Sequence, residues 1–211
     1  MYKTEPIVNL LTYEVFAKEL LYSSSSAVES WSKQDCKMLS YIPAWDSSAT
    51  LFINLTSASI LSCDEDRIGK CLVLKENLTI EWNEAFDSEE QATLAAERLL
   101  RWRDKFGIRI AIDDAGSGHD FTKRFHLVGA DFIKLCGSVF QRSKSHAGMS
   151  MLCSDVADFA AKYNVPLIVE WVESASDMEY ARHSLGAQYG QGHLFNLDYT
   201  SKLLEQAELS I

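Results

Sequence analysis

Two adjacent carboxylates, Asp113 and Asp114, close an apolar run through Ile108, Ile110, Ala111 and Ile112 and lead into Ala-Gly-Ser-Gly. Side by side at the end of a strand, such carboxylates repel unless a cation or a shared proton sits between them. Gly116 and Gly118 let the chain turn sharply beside them. An Asp-rich turn is the plainer reading, since Asp is a common turn residue. Other polar residues fall in similar apolar settings: Glu19 in YEVFAKELLY, Asn54 in TLFINL, Glu81 in LTIEW, Lys134 in DFIKL, Glu170 in LIVEWV and Gln191 in YGQGHLF. Burying groups of this kind is costly unless they are paired. As a set they offer five carboxylates, one amide oxygen ligand in Asn54, one lysine and one glutamine. Oxygen ligands select hard cations, Mg²⁺ or Mn²⁺, over zinc. Five carboxylates against one lysine call for two divalent ions. Two such ions about 3.5–4 Å apart hydrolyse phosphodiesters by activating a water and stabilising the charged transition state.

The elements that must position these residues alternate at short spacing. Strands are expected at 5–11, 13–22, 50–55, 78–82, 108–113, 131–135, 167–172 and 189–195, the first two as a hairpin. Helices are expected at 31–39, from 57, and at 87–106, 121–128, 149–163, 174–185 and 202–209, with the serine run 23–26 as a loop. The helix 87–106 has the clearest signals. Asp87 and Ser88 can cap it, Glu89 and Glu90 suit its first turn, Lys105 suits its last, and Gly107 stops it. Alternating strands and helices without a composition break mean an α/β protein with parallel strands, in one domain spanning 1–211. A doubly wound sheet would place few polar residues in so many successive strands. A closed barrel brings the strand ends to one mouth, which favours a TIM-like (β/α)8 barrel.

Composition narrows the function classes. The net charge of −10 argues against nonspecific binding to nucleic acid or to an anionic membrane. No stretch approaches membrane-span length, and MYKTEPIVNL lacks the regions of a signal peptide. Five cysteines without CxxC spacing read as reduced thiols of a cytoplasmic protein. Cys136 reads as a small buried apolar residue, and Trp31, Trp45, Trp82 and Trp102 as core or interface.

Seven motifs in order resemble the EAL domain, the cyclic-di-GMP phosphodiesterase module of bacterial signalling. EPIVNLLTYEVFAKELL is similar to the family's opening, with Glu19 in the place of the EAL glutamate. Asn54-Leu55-Thr56 resembles NLS, Glu81-Trp82-Asn83-Glu84 resembles ExTE, and 113–118 (DDAGSG) resembles DDFGTG. Lys134 begins a KID-like segment, 169–173 (VEWVE) resembles AEGVE, and 191–195 (QGHLF) resembles QGYLF. The resemblance implies a barrel of the EAL type with an antiparallel first strand. It implies that Glu19, Asn54, Glu81 and Asp113 hold a first metal and Asp114 a second. Glu170 would bind a metal or its water, Lys134 would hold the attacking water, and Gln191 would lie near it. Glu84 would steady the loop after the Asp pair, and Glu173 would support from behind. The implied reaction is in-line attack by water, opening cyclic-di-GMP to linear pGpG with Mg²⁺ or Mn²⁺, and with Ca²⁺ inhibitory. The family also suggests a homodimer.

The chain departs from the pattern in its groove. Ser23 stands where the family usually has an arginine on the ligand phosphate. Cys136 replaces the KID aspartate, Ala115 the loop phenylalanine, and Trp171 the glycine of AEGVE. The region between Glu19 and Asn54 is short by about a helix and its loop. Three functions fit: the phosphodiesterase; an inactive module that binds cyclic-di-GMP or a regulatory protein; and a phosphodiesterase for a smaller substrate. With no sensor or GGDEF domain attached, regulation is expected to come from a partner, from expression level or from dimer geometry.

Overall fold

The computed structural model describes residues 2–22, 35, 37–39, 42, 50–66, 69, 77–83, 88–118 and 120–195. The serine run 23–26 and the closing helix at 202–209 lie outside them, as do Ser23, Trp31, Trp45 and Glu84. The expected helix at 31–39 is helical at its described residues, 35 and 37–39.

Eight strands close into a barrel in sequence order: β1 Tyr2–Asn9, β2 Val15–Tyr22, β3 Thr50–Leu55, β4 Leu78–Trp82, β5 Arg109–Ala115, β6 Phe132–Leu135, β7 Leu167–Val169 and β8 Tyr189–Gln191. β1 runs antiparallel to both its neighbours, and all other pairs are parallel. The (β/α)8 expectation and the antiparallel first strand both hold. β1 ends earlier than the apolar pattern suggests. Asn9 Oδ1 accepts the backbone N–H of Leu11 at 2.8 Å and of Thr12 at 3.1 Å, so its side chain closes the hairpin turn.

Besides residues 35 and 37–39, the helices among the described residues include α1 Ser57–Ser62, α2 Glu89–Phe106, α3 Phe121–Val128, α4 Gly137–Ser143, α5 Ala147–Tyr163 and α6 Ala175–Glu179, the last continuing into a π-helical turn, Tyr180–Ser184, and a 3-10 turn follows at His193–Phe195. Ser88 caps α2 in a full capping box with Gln91, and Gly107, at φ 70°, stops it. α4 answers to no element in the sequence reading. It opens on glycine, and its cap position, Cys136, makes no side-chain capping bond.

Two cores result. The larger lies between the sheet and its helices and includes Trp82 and Trp102, both fully buried. The smaller fills the barrel itself: Ile7, Ala17, Phe52, Ala111, Phe132 and Ile168, with Phe16 and Tyr189 packed against it. The β1–β2 register slips there, leaving Phe16 unmatched in β2. Its ring stacks on Tyr189 at 4.2 Å between centroids, and Phe52 meets Phe132 at 5.3 Å. This layer is an apolar floor beneath one end of the barrel.

Candidate active site at the barrel mouth

Side chains alternate along a strand, so the residue two places from each floor residue towards the mouth, and in β4 two places beyond the fully buried Thr79, also faces the interior. Those residues are Glu5 in β1, Glu19 in β2, Asn54 in β3, Glu81 in β4, Asp113 in β5, Lys134 in β6, Glu170 just past β7 and Gln191 in β8. Each strand sends one polar side chain to the same mouth.

Lys134, which is 1% exposed, is the centre. Its Nζ lies 3.2 Å from Glu19, 3.0 Å from Glu81, 3.2 Å from Asp113 and 2.8 Å from Glu170. Glu19 is held further by Asn54 Nδ2, donating at 2.5 Å, and by Gln191 Nε2, donating at 2.6 Å. Gln191 also reaches Glu5 at 3.5 Å. An ammonium has three N–H donors and faces four carboxylates. The shortfall shows in the geometry: Asn54 Oδ1, both Glu81 oxygens, Asp113 Oδ1 and Gln191 Oε1 are buried without a hydrogen bond. Glu81 Oε1 and Asp113 Oδ1 lie within ion-pair distance of the ammonium but outside hydrogen-bond geometry.

The electrostatics follow. Burial disfavours charge on Lys134, but Asp113, Glu170, Glu19 and Glu81 outweigh it and push the ammonium well above its ordinary range. Burial also works against Glu19, yet Lys134 and the Gln191 amide hold its carboxyl below the usual range. Glu81 is pushed well up by burial and by the Glu19 charge. Asp113 is raised by burial and its acidic neighbours, and Glu170 is raised to about 7 for the same reasons. The site thus holds more negative charge than its one lysine can balance. Hard donors, excess negative charge and orphaned inward oxygens suit a divalent cation, but Lys134 holds the centre, and among the described residues no group of three or more His, Cys, Asp or Glu side chains is arranged to hold a metal ion. Glu19, Asn54, Glu81, Asp113 and Glu170 are the donors such an ion would draw on.

Asp114 sits differently. The β5–β6 register slips between Ile112 and Ala115, so Asp113 and Asp114 occupy a bulge. Asp114 takes φ 55°, a conformation uncommon outside glycine. Half-buried, it raises the Cys136 thiol and the Asp113 carboxyl, but makes no ion pair with Lys134. It could hold a second ion beside the first. Glu173 stands apart, 3.6 Å from His193. Cys136 is buried, and burial pushes its thiol up.

Sequence reasoning missed Glu5 and Arg124. Glu5 pairs with Glu19 in register and carries the period-two signal with Ile7. Arg124, 2% exposed, donates to the carbonyls of Trp82 and Asp113 and to Asp120 Oδ1 at 3.0 Å. Its signal is its place on the inner face of α3, between Phe121 and Val128.

The EAL domain model matches residues 33–197. The chain belongs to the EAL domain family. It is 32% identical over 117 residues to a probable cyclic di-GMP phosphodiesterase, PdeA, of Escherichia coli K12, covering 56% of this chain and 15% of that protein. It is 29% identical over 117 residues to the cyclic di-GMP phosphodiesterase PdeF of the same organism, covering 54% and 16%. The EAL chain therefore spans only about a sixth of the length of these relatives. Its fold matches the PaMucR phosphodiesterase in complex with c-di-GMP, with TM-score 0.74 and 16% identity over 93% of this chain and 90% of that one. A standalone EAL protein of Vibrio cholerae O395, in its c-di-GMP-bound form, matches with TM-score 0.70 and 18% identity over 92% and 89%.

Proposed function

We propose that the chain is a metal-dependent phosphodiesterase that hydrolyses cyclic-di-GMP to linear pGpG. The observation that carries this reading is the convergence of four carboxylates on one three-donor ammonium, with unpaired oxygens left over. Family membership and relatives named as cyclic-di-GMP phosphodiesterases support it. When bound, two Mg²⁺ or Mn²⁺ ions would supply the positive charge the site lacks and polarise water and phosphate. Glu19, Asn54, Glu81, Asp113 and Glu170 would hold the first ion and Asp114 the second. Lys134, kept charged by its neighbours, would orient the attacking water and offset the charge of the phosphate. Gln191 would fix Glu19 and the water beside it. Glu84 would steady the loop after the Asp pair. Ca²⁺ would fill the same oxygens without supporting turnover. The same reading makes 1–211 one EAL-like domain of a cytoplasmic signalling protein, with cyclic-di-GMP its ligand and a second copy or a regulatory protein its partner.

Calorimetric titration with cyclic-di-GMP in Ca²⁺ tests it. Saturable binding that disappears in Glu81→Ala is expected. No heat with the wild type would contradict the reading and turn the search to protein partners. Saturable binding with no pGpG after exchange into Mn²⁺ would make the chain a receptor.

A further inference from the structure

Trp171 follows Glu170 directly and is 53% exposed, one of seven exposed large hydrophobic residues among those described. Its backbone takes φ 54°, a conformation a bulky residue adopts only when its surroundings impose it. Those surroundings are a clamp. Gln141 Nε2 donates to the Trp171 carbonyl at 2.6 Å and to Asp177 Oδ2 at 3.0 Å. Asp177 Oδ2 also accepts the Glu173 N–H at 3.1 Å, and the Val172 N–H donates to the Gln191 carbonyl at 2.9 Å. Under the indole lies Gly137. A Cβ there would stand 2.2 Å from Trp171 Cγ and 2.5 Å from both Cδ1 and Cδ2. Those nearly equal distances put the face of the ring, not its edge, on the Gly137 backbone. One face of the indole is therefore seated and the other is turned to solvent.

The seat is wired to the mouth. The Gly137 N–H donates to Glu170 Oε2 at 3.3 Å, while Glu170 Oε1 lies 2.8 Å from Lys134 Nζ. One carboxylate thus touches both the ring's seat and the central ammonium. A rigid aromatic face held open one residue from a phosphate-chemistry site is suited to the flat face of a nucleobase. We propose that Trp171 is the stacking platform for a guanine of the bound dinucleotide, placing its scissile phosphate over Lys134. The proposal rests on the phosphodiesterase reading above. It gives the tryptophan a positive role, where its bulk alone would suggest an obstructed groove.

The test compares Trp171→Ala, Trp171→Phe and Trp171→Gly with the wild type, reading KM and kcat for cyclic-di-GMP in Mn²⁺, Kd in Ca²⁺, Mn²⁺ affinity and melting temperature. The alanine and glycine variants should raise KM and Kd by about tenfold, since a base stacked on an aromatic ring contributes on that order. The phenylalanine variant should recover most of the loss. The kcat should fall by less than about threefold, and Mn²⁺ affinity should hold. Trp171→Gly relieves the backbone conformation, so it should melt no lower than Trp171→Ala while binding as poorly. A merely structural role would instead move the melting temperature and leave KM in place. Wild type that cleaves cyclic-di-GMP beside a Trp171→Ala that keeps its KM within twofold would overturn the platform alone. Wild type that neither binds nor cleaves would overturn the phosphodiesterase reading and the platform together.

Discussion

Lys134 faces more negative charge than one ammonium can neutralise, and it is buried with Glu19, Glu81 and Asp113. Removing it leaves several buried carboxylates with no cation, a change that costs on the order of 3–5 kcal/mol. Lys134→Ala should therefore lower the metal-free melting temperature by about 10 °C. Saturating Mn²⁺ should recover more of that loss than it adds to the wild type. Equal Mn²⁺ shifts in both proteins would contradict the shared-site account. Asp35 makes a separate prediction. It is buried, bonded to the Ser59 hydroxyl, and raised by burial from 3.8 to about 6. Its folded value lies above its unfolded one, so its contribution is complete below about pH 4 and is lost as pH rises through 6. The loss amounts to about 3 kcal/mol. Denaturant titrations across that window should show stability falling with pH through this group, and Asp35→Asn should flatten the slope.

Arg124 joins elements. It ties the carbonyls of Trp82 and Asp113, at the ends of β4 and β5, to α3. Arg124→Met should cost about 2–3 kcal/mol in guanidinium unfolding, because it leaves charge-assisted carbonyl partners unbonded. It should also weaken Mn²⁺ binding by freeing the bulge that carries Asp113. Unchanged Mn²⁺ affinity at reduced stability would confine Arg124 to the scaffold. This clamp shows where legibility in the sequence stops. The period-two placement of Glu19, Asn54, Glu81, Asp113, Lys134, Glu170 and Gln191 is a local property, and the sequence carries it openly. A guanidinium that works through backbone carbonyls of other strands leaves no such spacing. α4 was illegible because it is short, uncapped by a side chain and opened by Gly137, whose missing Cβ makes sense only with the Trp171 ring above it. The π-helical turn at Tyr180–Ser184 lies inside the expected helix 174–185, where the apolar pattern cannot separate one helical pitch from another.

At the scale of the whole molecule, the barrel is two layers: aromatic rings and aliphatic side chains below, carboxylates and an ammonium above. The floor keeps the dielectric low under the charges, which is why their proton affinities depart from ordinary values. Phe52 is fully buried between Phe16 and Phe132 in that floor. Phe52→Ala should cost about 3–5 kcal/mol in chemical denaturation, the usual range for a large cavity. A closed barrel was legible because polar residues recur in strand after strand, and only closure gathers them. The most direct measurement is chromatographic: cyclic-di-GMP incubated with the purified protein in Mn²⁺, in EDTA, and with Glu19→Ala in Mn²⁺. The account predicts pGpG from the wild type in Mn²⁺ and none in the other two samples. Intact cyclic-di-GMP in all three, or pGpG formed in EDTA, would contradict it.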